Sequence, residues 1–312
     1  MCSKLGPALL FTAILVGSIL SPGSVTPTNA QEKKDEKKAA PTGKADPTKQ
    51  KTAALATLKK ASLDKASVVE TDNFLIASSL PEEKAKALGV VLEKVVPVAR
   101  KALQFEEKEE AWKGKLTIYV IPDTRDFKSF MRTVIIKDPQ GVYFDLRTDE
   151  PFVADPVDAG SKATESDQFA TIAANVAMAY LKARGSTASM PDWLEGGFAR
   201  VTAMRAEGTN SARYTKYKTA ARTAIAGPKG GKGGTFNEVW GEMKVATTEV
   251  LANSAVEYMA YGPGAMNFIK LVYGFRPNEQ GDTPATPQAM EAAGWKDIAP
   301  LEAAWRKWAL AK

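Results

Sequence analysis

Between Ser166 and Arg184 the chain repeats Phe169, Ile172, Val176 and Tyr180 at helical spacing, with Ala173, Ala177 and Leu181 beside them. An apolar face this wide predicts a helix buried inside the protein, and such a helix needs other elements around it. Composition supplies them: about 280 residues follow Ala30, 44% of the chain is hydrophobic, and it holds six Trp, enough core for one large domain or two small ones.

Upstream of that helix the pattern is mixed. Val68 to Ser79 is β-prone with partial alternation, and Pro81-Glu82-Glu83 places proline and two acids in a helix first turn. Ala87, Val91, Val95 and Val98 then recur at helical spacing to about Leu103. Leu116–Ile121 reads as a strand, Asp126–Met131 as a short helix, and Gly141–Asp145 and Pro151–Ala154 as further strands of one sheet. Downstream, helices are predicted over 191–206, 211–226, 247–261, 264–273 and 298–311. The fold class is therefore α+β, a small N-terminal strand-helix layer followed by a mainly helical half. Gly227-Pro228-Lys229-Gly230-Gly231-Lys232-Gly233-Gly234 is a flexible connection, not a phosphate-binding loop, because Ala226 stands where the first glycine is needed and Gly233 replaces the hydroxyl residue.

The net charge of +6 invites a nucleic-acid or anionic-surface partner until the charges are located. Residues 31–66 hold ten lysines against five acids; removing these and Lys4 from 42 basic and 36 acidic groups leaves 31 of each in residues 67–312. The body is neutral, and nothing in it points to a specific nucleic-acid partner. The excess lies in a Lys-, Ala-, Pro- and Thr-rich segment, 31–66, expected to be a disordered tether that contacts an anionic surface.

Lys4 is the only charged residue of the first thirty and precedes an apolar run from Leu9 to Leu20, too short to span a bilayer core of about 30 Å. With Thr28-Asn29-Ala30 behind it, residues 1–30 read as a signal peptide cleaved after Ala30, which puts the mature chain in the periplasm or outside the cell; the alternative is an uncleaved anchor. No later segment is apolar enough for a transmembrane helix. Cys2, the only cysteine, goes with the signal, so the mature chain has neither disulfide nor thiolate chemistry.

There is no histidine in the chain. That removes a Ser-His-Asp triad, a Cys-His pair and any zinc site built on imidazole. Ser62 and Lys65 match a Ser-x-x-Lys spacing, but chance supplies such a match in a chain rich in both residues.

Three segments in this order resemble a known family: Val69–Ile76 followed by the strand 116–121; Thr171–Leu181 followed by Met190-Pro-Asp-Trp-Leu-Glu-Gly-Gly-Phe-Ala199; and the closing Gly294–Trp308. Together they resemble the peptidase MA-like (gluzincin, zincin-type metalloprotease) domain of exported bacterial proteins, over about residues 67–312. The resemblance implies a gluzincin-like fold in which the buried helix carries His-Glu-x-x-His, two zinc ligands and a general base, with a third ligand, Glu, on the next helix. Here the ligand positions are Ala174 and Met178, the base position is Asn175, and the third ligand position is Gly196, with Glu195 turned about 100° away. What is implied is a degenerate site with no catalytic residue, no metal and no cofactor, whose groove holds a peptide or protein partner; Asp192, Trp193, Glu195, Phe198, Tyr214 and Tyr217 are the candidate binding residues. The alternative is a hydrolase that binds calcium or magnesium through Asp167, Asp192 and Glu195, or works through an unrecognised site.

Overall fold

The computed structural model describes residues 46–137, 141–157, 162–228, 232–240 and 246–311; the signal-peptide assignment and the segment before Asp46 lie outside the described residues. Within them the chain is α+β and mostly helical, as its periodicity predicts, with eleven α-helices and one mixed five-stranded sheet.

The boundary predicted for the basic tether moves. Pro47–Lys60 forms helix α1, capped by Asp46, whose side chain accepts from Thr48 N at 2.9 Å. Only Gln50, Ala54 and Leu58 are buried, one residue per turn, so a lysine-rich helix is held by a narrow stripe. Gln50 adds a reciprocal pair with the Lys115 backbone: its Nε2 donates to the carbonyl at 3.3 Å and its Oε1 accepts from the N–H at 3.2 Å.

The β-prone stretch after Ser67 is a hairpin rather than one strand. Strand β1 (Ser67–Glu70) pairs antiparallel with β2 (Phe74–Ser78) across a polar turn, Thr71-Asp72-Asn73. Glu93 of α2 (Glu82–Ala102) holds that turn, its carboxylate accepting from Thr71 Oγ1 at 2.6 Å, Asn73 N at 2.8 Å and Asn73 Nδ2 at 2.6 Å. Strands β3 (Leu116–Val120), β4 (Tyr143–Asp145) and β5 (Phe152–Asp155) complete the order β1-β2-β3-β5-β4, with β2, β3 and β5 parallel and both edges antiparallel.

Every residue of β2 and β3 is buried, as expected of parallel strands covered on both faces. Alternation sorts them: Phe74, Ile76, Leu116, Ile118, Val120 and Val153 face the main core, whereas Leu75, Ala77, Tyr119, Ile121 and Ala154 face a second cluster. α2 and α4 (Glu165–Gly185) cover the first face. α1, α3 (Thr124–Phe130) and the π-helical turn Met131–Ile135 that continues α3 supply the second cluster.

The remaining helices pack on the far side of α4: α5 (Asp192–Glu207), α6 (Ala212–Ala226), α7 (Phe236–Trp240), α8 (Ala246–Tyr261), α9 (Ala265–Gly274), α10 (Thr286–Ala292) and α11 (Ile298–Leu310). The short α7 and α10 lack enough turns to show a period in the sequence. α5 lies against α2, α4 and α8 at once. Gly197 makes that crossing close, since a Cβ there would stand 2.8 Å from Val256 Cγ2 and 3.2 Å from the Ala252 carbonyl oxygen.

Candidate ligand cavity

A cavity of about 590 Å³ opens where α4, α5, α6 and α8 meet. Helical spacing selects its walls. From α4 come Asp167, Ala170, Thr171, Ala174, Asn175 and Met178, and from α5 Gly196, Ala199, Arg200, Ala203 and Met204. α6 contributes Arg213, Lys216, Tyr217 and Ala220; α8 contributes Glu249, Val250 and Asn253. Each set repeats at three- and four-residue intervals, one stripe per helix. The space exists because five of the eleven lining residues on α4 and α5 are Ala170, Ala174, Gly196, Ala199 and Ala203, side chains too short to meet across the gap.

The four positions Ala174, Asn175, Met178 and Gly196 therefore line one cavity. They do not fit the zinc that the sequence resemblance implies: Ala174 and Gly196 carry no donor atom, and the Met178 thioether and Asn175 amide are poor substitutes for imidazole and carboxylate. Among the described residues no three His, Cys, Asp or Glu side chains stand close enough to hold a metal ion. The alternative carboxylate set is dispersed. Asp167 lines the cavity but pairs with Arg213 at 2.8 Å, Glu195 pairs with Lys182 at 2.6 Å outside it, and Asp192 is exposed in the first turn of α5.

Of the residues expected to line a groove, Tyr217 does so and the others do not. Phe198 is fully buried between Tyr261 and Phe268, with ring centroids 6.2 and 5.6 Å away. Trp193 is buried against Trp240, and its indole N–H has no partner among the described residues. Tyr214 points its hydroxyl to Glu257 instead. On α5 the cause is enclosure on three sides, which turns Trp193, Leu194, Gly197, Phe198 and Val201 into the core and leaves Gly196, Ala199, Arg200 and Ala203 for the cavity.

Charge sits at the rim and is mostly neutralised. Asp167 is held down to about 2 by hydrogen bonds from the Thr164 hydroxyl, which belongs to the capping box of α4, and from Arg213. Arg213 also meets Glu207 at 3.0 Å, and Arg200 meets Glu249 at 3.1 Å and Asn253 Oδ1 at 3.1 Å. Exposed Lys216 is the lining cation with no acidic partner among the described residues. On the floor, Asn175 Nδ2 donates to Asp155 Oδ2 at 2.6 Å. Burial at the end of β5 pushes the Asp155 carboxyl above the usual range, a shift the Asn175 bond opposes.

Behind Tyr217 lies a group the sequence reading passes over. Glu257, fully buried on α8, accepts from Arg205 Nη1 at 2.9 Å, Lys218 Nζ at 3.0 Å, Tyr217 Oη at 2.9 Å and the Tyr214 hydroxyl. Burial and the Glu257 charge raise the Tyr217 phenol well above its ordinary value, so it stays a neutral donor. Glu257 lies on the face of α8 that carries Asn253, Ser254 and Tyr261, opposite the apolar face of Leu251, Ala252, Ala255, Val256 and Met259, so the sequence marks it only as an acid inside a largely apolar helix. With four donors, Glu257 has no free valence for a ligand; it sets the position of the Tyr217 ring in the cavity wall. The chain matches no protein-family model and no curated protein.

Proposed function

We propose that this is an exported binding protein of metalloprotease-like fold, which seats an apolar side chain of a peptide or partner protein in the cavity between α4, α5, α6 and α8 and does not cleave it. The observation that carries this is the composition of the wall: Ala174, Asn175, Met178 and Gly196, the four positions at which the sequence resemblance puts ligands and base, line one cavity and bring neither an imidazole nor a carboxylate to it. The volume suits a side chain or small ligand, and an apolar floor with a few amide and hydroxyl groups suits binding. Asn175, held by Asp155, keeps its carbonyl and second N–H for a peptide bond.

The experiment rebuilds the absent site. A Cβ at position 196 would lie 3.0 Å from Arg200 Nη2, where the guanidinium would neutralise a new carboxylate. The variant therefore combines Ala174→His, Asn175→Glu, Met178→His, Gly196→Glu and Arg200→Gln. It should bind zinc at least tenfold more tightly than the parent, measured by competition with a chromogenic chelator in the chain from Gln31. Stoichiometric zinc in the purified parent, or no gain in the variant, would sink the proposal.

A further inference from the structure

The second layer of the fold, α1 with α3 and its π-helical turn, concentrates the positive charge of the folded chain. Residues 46–66 and 122–137 together hold nine basic and four acidic groups, whereas the rest of 67–312 holds 27 basic and 29 acidic. Two of the four acids, Asp46 and Asp123, are turned into helix N-termini as caps. Arg125, Lys128 and Arg132 follow one another along a groove on the outer side of α3 and the π turn. Like Lys49, Lys59 and Lys60 on α1, they are exposed and form no ion pair among the described residues.

Four residues after Arg132, as the C-cap of the π turn, comes Ile136. It is 82% exposed and left-handed, with φ 56° and ψ 43°, where β-branched residues are rare. A π turn followed by such a residue is a costly way to hold an isoleucine in water, and outliers of this kind mark places where a contact is made. The aromatic rings that α3 brings to the layer, Phe127 and Phe130, are buried with Tyr119, and Tyr143 and Phe152 of the sheet are packed against the same cluster, so no exposed ring stands beside the three cations to stack on nucleic-acid bases. An apolar tip beyond a row of unpaired cations matches the headgroup region of a bilayer.

We propose that this face docks peripherally on an anionic lipid bilayer, with Arg125, Lys128 and Arg132 against the headgroup phosphates and Ile136 inserted at the acyl boundary. Positive charge belongs to the folded layer as well as to the segment before Asp46, and it orients the protein with the cavity-bearing helices on the opposite side of the sheet.

The test is sedimentation of the chain from Gln31 with vesicles of phosphatidylcholine, alone or mixed with phosphatidylglycerol. Binding should require phosphatidylglycerol and fall with added salt. Arg125→Gln/Lys128→Gln/Arg132→Gln should lower the partition coefficient by about a hundredfold, roughly fivefold per cation. Ile136→Gly should lower it by about tenfold without lowering the melting temperature, since glycine adopts the left-handed conformation freely. Neutralising Lys33, Lys34, Lys37, Lys38 and Lys44 to Gln should cost less than the triple change. The proposal is overturned if the parent does not bind phosphatidylglycerol vesicles, if the triple variant or Ile136→Gly binds as the parent does, or if the five-lysine change removes all binding. It is also overturned if polyphosphate or single-stranded DNA binds as tightly as vesicles and equally to Ile136→Gly, which would make the face a polyanion site.

Discussion

Glu257→Ala removes the acceptor shared by Arg205, Lys218, Tyr214 and Tyr217. The carboxylate is wholly buried, and the side chains of Arg205 and Lys218 are only 26% and 20% exposed, so neither cation is rehydrated fully when its partner goes. Removing one member of a buried pair costs about 3–5 kcal/mol, and each phenol left without an acceptor adds about 1–3. Half-buried Tyr214 recovers part of that from water, as do the tips of the two cations. A loss of about 4 kcal/mol is expected, which at about 2 °C per kcal/mol for a chain of this size lowers the melting temperature by roughly 8 °C. Urea unfolding followed by tryptophan fluorescence measures the first quantity, and calorimetry the second. Glu257→Gln keeps the shape but removes the charge that Arg205 and Lys218 face and aims an amide N–H₂ into a site where both cations can only donate, so it should lose nearly as much. Replacing Glu257, Arg205 and Lys218 together by Met should restore most of the stability, because the unpaired charges go too. A loss below about 1 kcal/mol for Glu257→Ala, or a neutral Glu257→Gln, would refute the account.

Gly197→Ala gains about 1 kcal/mol of helix propensity but forces a Cβ to 2.8 Å from Val256 Cγ2, so a net loss of about 1–2 kcal/mol is expected in the same urea assay, relieved by adding Val256→Ala. Asp167 titrates near 2 in the folded chain against 3.8 unfolded, a lowered value. Its ionised form therefore supports folding above the unfolded value, and that support is lost as pH falls from about 4 to about 2. The stability difference between the parent and Asp167→Asn should be constant from neutral pH to about pH 5 and vanish toward pH 2; a difference that persists at pH 2 would contradict it.

Much of the fold was legible because its signals are local. The apolar stripes of α2, α4, α5, α6, α8, α9 and α11 and the β-run of β3 each lie within one element. What escaped had a weak or divided signal. The hairpin turn Thr71-Asp72-Asn73 is only three polar residues inside a β-prone run. α1 offers Ala54 and Leu58 as its buried apolar residues amid lysines, and Gln50 counts as polar until the Lys115 backbone stands opposite it. In the candidate site, spacing put Ala174, Asn175 and Met178 on one face, but Trp193 and Phe198 looked like groove residues until the enclosure of α5 by three neighbours turned them inward.

By itself the sequence determined the inventory: no histidine, one cysteine, a neutral body behind a basic segment, and a buried helix whose face bears Ala, Asn and Met. Composition and periodicity are properties of neighbours along the chain, so no folding event alters them. Only the tertiary structure decided that Gly196, Ala203, Tyr217 and Asn253 enclose a space with that helix, that Glu257 is satisfied by four donors from two other helices, and that Ile136 is left exposed to solvent. A cavity is set by the distance between helix axes and by what each presents across the gap, and those quantities exist only after residues tens of positions apart have packed.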